Sequence, residues 1–147
     1  MRDLHLNSIP AGSNCAVLQV AGEIDVYTAP TLREGIIDLL DKDVVHVITD
    51  MRNVDFLDST GLGALVGSLK RLRTREGSLR LVIDSDRIHR IFRITGLDRV
   101  FSIHLSLQEA ITADGHWRAA VEGGGHSIEE WCHRHELLPD QPGQAPD

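Results

Sequence analysis

The sequence predicts an α/β fold: a mixed β-sheet of four to five strands packed with about four helices and followed by a C-terminal extension. Three observations predict it. Apolar runs at 15–21, 44–49 and 79–83 have strand length, and the first two are nearly continuous, as in strands buried on both faces. The intervening segments place apolar residues at helical spacing. Strand and helix therefore alternate, which calls for crossovers and at least some parallel pairs.

Taken in order, residues 2–8 alternate weakly through Leu4 and Leu6 as a first strand, and Pro10, Gly12, Ser13 and Asn14 make a turn. The run 15–21 is the second strand, and 22–28 reads as a loop. Thr28 followed by Pro30 marks a helix start, a hydroxyl cap and then proline in the first turn. Leu32, Ile36, Leu39 and Leu40 carry that helix inward to about residue 41, and 44–49 is the third strand.

The stretch FLDSTGLGALVGSLKRL at 56–72 ends a strand, turns and opens the next helix. Asp58, Ser59 and Thr60 stand where a side-chain oxygen can accept from the free N–H groups of the first turn. Leu62, Leu65, Val66, Leu69 and Leu72 form a face for a core, opposite the small residues Gly63, Ala64, Gly67 and Ser68. Glycine inside a helix costs roughly 1 kcal/mol against alanine, so two of them suit a face that another backbone approaches. Gly77 closes this helix, and Leu79, Leu81 and Ile83 alternate along a fourth strand. Ser85 caps a short helix with Ile88, Ile91 and Phe92 inward, and Gly96 ends it in the left-handed conformation. A last short strand is expected over 100–104. Ser106 with Glu109 is a capping box that opens a helix carrying Leu107, Ala110 and Ile111.

These elements make one domain over 1–114. Residues 115–147 form an acidic extension containing glycine and proline, partly helical or disordered. Within it Gly123, Gly124 and Gly125 read as a flexible hinge, and Ser127 with Glu130 opens a helix over 128–137 that bears Trp131. Residues 139–147, rich in proline, glycine and glutamine, are expected to be disordered.

A chain of 147 residues is long enough to bury a real core. The net charge of −7 argues against nucleic-acid binding, whose footprint is a basic patch. Seven acids and two arginines from Asp114 onward make the extension the more acidic part. The first ten residues lack the apolar run of a signal peptide, and no segment approaches the ~18 apolar residues of a membrane span. Cys15 and Cys132 read as reduced thiols of a cytoplasmic protein.

Enzyme motifs fit poorly. D-S-T-G has one residue more than the D-[ST]-G of aspartic proteases, and a helix follows it at once. Leu57, rather than glycine, lies two before Ser59, so there is no nucleophile elbow, and GLGALVG lacks the lysine of a P-loop. A regulatory serine fits better, because a helix N-terminus favours an anion. Glu23 and Asp25 stand before the first helix, where Asp25 suits turn and capping chemistry. Asp58 is sufficient as a cap, and the separation of Asp25 from Asp58 is open. His126, Cys132, His133 and His135 match no zinc-ligand spacing and read as a solvated His-rich helix. Lys70, Arg71, Arg73 and Arg75 read as a solvated basic end of the central helix.

LDSTGLGALVG at 57–67 resembles the phosphorylation segment of anti-sigma factor antagonists, the STAS-domain proteins of bacterial partner switching. The resemblance extends to GEIDVYTAPTLRE at 22–34, VITDMRNVDFLDSTG at 47–61 and RIFRITGLDRVF at 90–101, in the family's order, and covers the chain to about residue 113. It implies a STAS-like domain, a non-enzymatic binding module. Ser59 is then the phosphorylated serine, with Thr60 a minor alternative. Glu23, Asp25, Asp58, Ser59, Thr60, Gly63, Ala64 and Gly67 are then the partner surface. It also implies two partners, an anti-sigma factor with GHKL-type serine kinase activity and a PP2C-type phosphatase. No cofactor, metal, nucleic acid or membrane enters this scheme, and the oligomeric state is open. The alternative is a structural STAS subunit of a larger assembly, such as a lipid-transport complex, with Ser59 as a helix cap only.

Overall fold

The computed structural model describes residues 3–135. Strands β1 (Leu4–Ala11) and β2 (Cys15–Ile24) form an antiparallel hairpin. After β2 come α1 (Ala29–Asp41), β3 (His46–Leu57), α2 (Ser59–Arg73), β4 (Ser78–Val82) and α3 (Asp86–Thr95). A 3-10 turn at Leu97–Arg99 leads to β5 (Ser102–His104), and α4 (Leu107–Thr112), α5 (Gly115–Glu122) and α6 (Ile128–Arg134) complete the described chain. The sheet order is β1-β2-β3-β4-β5, and every pair beyond the hairpin is parallel.

The alternation of side chains along the strands gives the sheet two apolar faces. On one, Ala16, Leu18, Val20, Val47 and Met51 pack with Leu32 and Ile36 of α1, Leu65, Leu69 and Leu72 of α2, and Ile88 and Phe92 of α3. On the other, Val17, Ile48 and Val82 pack with Leu107 and Ile111 of α4, Trp117 and Val121 of α5, and Trp131 of α6. The expected α/β class, the five strands and the parallel pairs are all present.

Several boundaries differ. Pro10 lies inside β1 rather than in the turn, which an edge strand with one neighbour permits. β2 runs to Ile24, past the expected end at 21, and β3 runs unbroken to Leu57, joining the run expected over 44–49 to the strand end expected at 56–57. β5 begins at Ser102, because the Val100 and Phe101 N–H groups donate to the Leu97 carbonyl and prolong the preceding turn. The described residues hold six α-helices: the four expected in the domain, α6 where Ser127 and Glu130 announced a helix of the extension, and α5, which was not expected. Trp117 and Val121 of α5 and Trp131 and Cys132 of α6 are all buried. The three glycines at 123–125, expected as a hinge, make the turn between these helices. The segment 139–147 lies outside the described residues.

Gly96 adopts φ 74° at the end of α3, as expected of a left-handed cap. Ser85, Ser106 and Ser127 accept from the N–H groups of Ile88, Glu109 and Glu130.

Candidate functional site

β2 and β3 end side by side, with Ile24 paired to Leu57, and the Asp58 N–H donates to the Ile24 carbonyl at 3.2 Å. The turn 25–28 and the start of α2 therefore emerge together at the C-terminal rim of the parallel strands. Open α/β sheets present their ligand-binding crevices at that rim.

Asp58 is the N-cap of α2, and its Oδ1 accepts from the Gly61 N–H at 2.9 Å. Ser59 and Thr60 follow as the first two helical residues, both exposed. A Cβ on Gly61 would stand 2.7 Å from Ile24 Cγ2 and Leu57 Cδ1 and 2.8 Å from the Ile24 carbonyl oxygen, so glycine lets α2 sit directly on the two strand ends. That role was missed in the sequence. Its signal was a glycine three residues after a capping aspartate.

Across the rim, Asp25 is 2% exposed and its Oδ1 accepts from the N–H groups of Tyr27 and Thr28, at 2.8 and 3.0 Å. Thr28 Oγ1 donates to the Glu23 carbonyl at 2.6 Å and accepts from the Asp25 N–H at 2.9 Å. These short-range bonds lock the turn and hold Val26 and Tyr27 outward, 56% and 82% exposed. This apolar pair also escaped the sequence reading, since nothing local distinguishes an outward tyrosine from an inward one.

A family model described as the STAS domain matches residues 8–110. The chain belongs to the STAS domain family. An anti-sigma-B factor antagonist from Listeria monocytogenes is 45% identical over 84 residues, covering 57% of this chain and 74% of the relative, which places the STAS chain among the anti-sigma factor antagonists. The crystal structure of an anti-sigma factor antagonist from Mycobacterium paratuberculosis superposes with a TM-score of 0.68 at 29% identity, over 76% of this chain and 93% of that one. The Bacillus cell fate determinant SpoIIAA in its phosphorylated form shares the fold, with a TM-score of 0.58 at 22% identity over 74% and 98% of the two chains.

Within this STAS domain, the expected site residues divide into two groups. Ser59, Gly63 and Gly67 lie four residues apart and share one outward stripe of α2. A Cβ on Gly63 or Gly67 would have nothing within 4 Å. Ala64 and Ser68 were expected on the same small face, but they are 4% and 1% exposed, and Ser68 Oγ donates to the Ala64 carbonyl at 2.8 Å. Each residue turns the helix by about 100°, so two adjacent stripes, one open and one buried, had been read as a single face. The Asp25 carboxylate accepts from N–H groups of its own loop. Asp58 likewise commits an oxygen to its helix, and Glu23 is half-buried at the end of β2.

The remaining candidates sit elsewhere. Lys70, Arg71 and Arg73 occupy the last turn of α2, where the helix dipole favours cations, and Arg75 pairs with Asp43 at 3.0 Å. α6 is not the solvated helix expected from its histidines. It buries Cys132, whose thiol is pushed up to about 11 by burial, and sets Trp131 against His135 with ring centres 4.5 Å apart. Among the described residues no three of His, Cys, Asp and Glu converge as metal ligands, and no helix is long and apolar enough to cross a membrane. Cys15 and Cys132 are free thiols.

Proposed function

We propose that this STAS chain is an anti-sigma factor antagonist whose unphosphorylated form binds an anti-sigma factor and thereby frees a sigma factor for transcription. The observation that carries the reading is the exposed Ser59 hydroxyl at the first residue of α2, beside the locked 25–28 turn and in line with the open Gly63–Gly67 stripe. The kinship with antagonists from several bacteria supports it.

The bound partner is a GHKL-type serine kinase. It transfers the γ-phosphoryl group of ATP to Ser59 Oγ, the hydroxyl proton leaves, and ADP is released. Glu23, Val26, Tyr27, Asp58, Thr60, Gly63 and Gly67 frame the contact, with Asp25 and Ala64 supporting it from behind. The phosphate brings about −1.5 to −2 charge to a helix N-terminus whose free N–H groups and dipole stabilise an anion within the chain itself. Its cost falls on the complex, where it stands against a surface shaped for a hydroxyl. A hundredfold loss of affinity needs only ~2.7 kcal/mol. A PP2C-type phosphatase removes the group and restores binding. Thr60, one residue further into the helix, is at most a minor acceptor.

The test is intact mass and peptide mapping after incubation with the purified anti-sigma kinase and ATP. One added phosphate on Ser59, absent in Ser59→Ala, is expected. A phosphate on Thr60, or on no residue of 56–62, overturns the assignment. Ser59→Ala should bind constitutively, and Ser59→Asp should mimic part of the loss.

A further inference from the structure

The parallel strands begin at the rim opposite Ser59, and there the chain gathers titratable side chains that the proposed switch does not use. His46 opens β3 and is 4% exposed, with its Nδ1 2.9 Å from Ser78 Oγ at the start of β4. Its ring stacks on His116 of α5, with centres 3.9 Å apart and planes at 14°. Asp114, 6% exposed, accepts through Oδ1 from the N–H groups of His116 and Trp117 and through Oδ2 from Arg80 Nε at 2.9 Å. Arg80 Nη1 lies 3.1 Å from Nε2 of His104 on β5, which accepts as the neutral ring. From β2, Cys15 Sγ reaches the His116 carbonyl at 3.8 Å, and burial followed by the Asp114 charge pushes its thiol up to about 12, so it stays protonated.

This rim holds down α5, against which α6 packs, and both helices lie beyond the stretch matched by the family model. The two helices carry both tryptophans of the sequence, Trp117 and Trp131, packed edge to face at 6.1 Å over the sheet. We propose that the His46–His116 stack is a proton-operated clasp, which keeps α5 and α6 on the sheet near neutral pH and releases them in acid, baring the apolar face of Val17, Ile48 and Val82.

Two neutral rings stack without penalty, and one charged ring over a neutral one is tolerated beside the Asp114 carboxylate. Two charged rings 3.9 Å apart repel. A proton must enter the buried ring, and there burial, then His116, lower the pKa of His46, with Asp114 opposing in part. Once α5 has lifted, the His46 ring is in water with pKa near the ordinary 6.5. The released form therefore binds more protons below about pH 6.5, and closure is complete above that value and weakens as pH falls through it. Asp114 keeps its charge across this window. Burial opposes that charge, but the Arg80 hydrogen bond and the two backbone N–H groups hold its carboxyl below the usual range. The cap and the Arg80 link thus persist, and the release pivots at Asp114. The pKa of His104 is also lowered, by burial and then by Arg80, with Glu109 opposing.

The full chain tests this, because tryptophan emission reports α5 and α6 alone. Between pH 7.5 and 5 a reversible red shift is expected, with faster amide exchange in 115–135, while exchange in β2 to β4 and the far-ultraviolet spectrum hold. His46→Gln can keep the contact with Ser78 but cannot charge, and it should abolish the shift; His104→Gln should leave it in place. His116→Gln, at an exposed position, provides the decision should His46→Gln fail to fold: it removes the repulsion and leaves only the burial of His46, so the shift should move to lower pH. Emission unchanged down to pH 5, sheet and extension exchanging together, a shift that survives in His46→Gln, or a midpoint that His116→Gln leaves in place overturns the proposal.

Discussion

The two rims of the sheet are built by different means. At the Ser59 rim the side-chain bonds that shape the turns span two to five residues: Asp25 to Tyr27 and Thr28, Thr28 to Glu23, Asp58 to Gly61. The side chains they leave over, Val26, Tyr27, Ser59 and Thr60, face solvent. At the His46 rim the partners are 32, 34 and 101 residues apart, as in His46 with Ser78, Arg80 with Asp114 and Cys15 with His116. An outward surface can thus be held by its own turns, so that altering its exposed residues leaves the core untouched. The opposite rim ties distant segments together, and damage there should reach beyond any one turn.

The comparison breaks most readily at Asp114. Asp114→Ala leaves Arg80 without its carboxylate and uncaps α5, and it should cost about 3 kcal/mol in urea unfolding, as expected for breaking a largely buried pair. A cost below about 1 kcal/mol would place this rim among ordinary surface pairs. The pH profile carries the same information. The folded pKa of Asp114 is depressed, so its contribution is complete above the ordinary carboxylate pKa and is lost as pH falls through the lower folded value, and the variant should lack that part of the acid limb.

At the Ser59 rim, Gly61→Ala is the exception expected to damage the fold. Its methyl meets Ile24 and Leu57, and overpacking of this kind costs about 1–3 kcal/mol. Asp58→Ala should cost about 1 kcal/mol in a thermal or urea melt through loss of the cap. Gly63→Ala should do the reverse, raising stability by up to about 1 kcal/mol while weakening partner binding, because its methyl enters open space. Gly67→Leu should leave the melting temperature nearly unchanged and weaken binding in the same titration. A lowered melt for Gly67→Leu would show that the stripe is closed.

The same contrast explains what could be read from the residues alone. The Asp58 cap, the serine caps of α3, α4 and α6 and the left-handed Gly96 depend on neighbours three or four positions away, and all were legible. Thus the α2 N-terminus and its serine could be placed without coordinates. The end of β3 at 56–57 was legible too, but its continuity with 44–49 was not, because Asp50, Arg52, Asn53 and Asp55 interrupt the apolar run. Neither was α5: burying Trp117 requires Val17 and Ile48 from distant strands, and no local pattern announces them. Gly63 and Ala64 looked equivalent because orientation about the helix axis depends on where the sheet lies.

The polar half of β3 has a further consequence, for insertions and deletions. Against β2, β3 carries one extra residue between Asp50 and Asn53 and another between Val54 and Phe56. Each extra residue exchanges the two faces of the strand, so the core positions advance from Met51 to Val54 to Leu57 instead of alternating. Together the two irregularities restore parity and bring Leu57 inward with Asp58 at the helix cap. Losing the extra residue of either irregularity would restore plain pairing there and leave Leu57 against Ile24, with the serine turn in its place. Losing one from each would return the strand to plain alternation and keep the same face. Single-residue deletions within 51–55 should therefore be absorbed before they reach the turn.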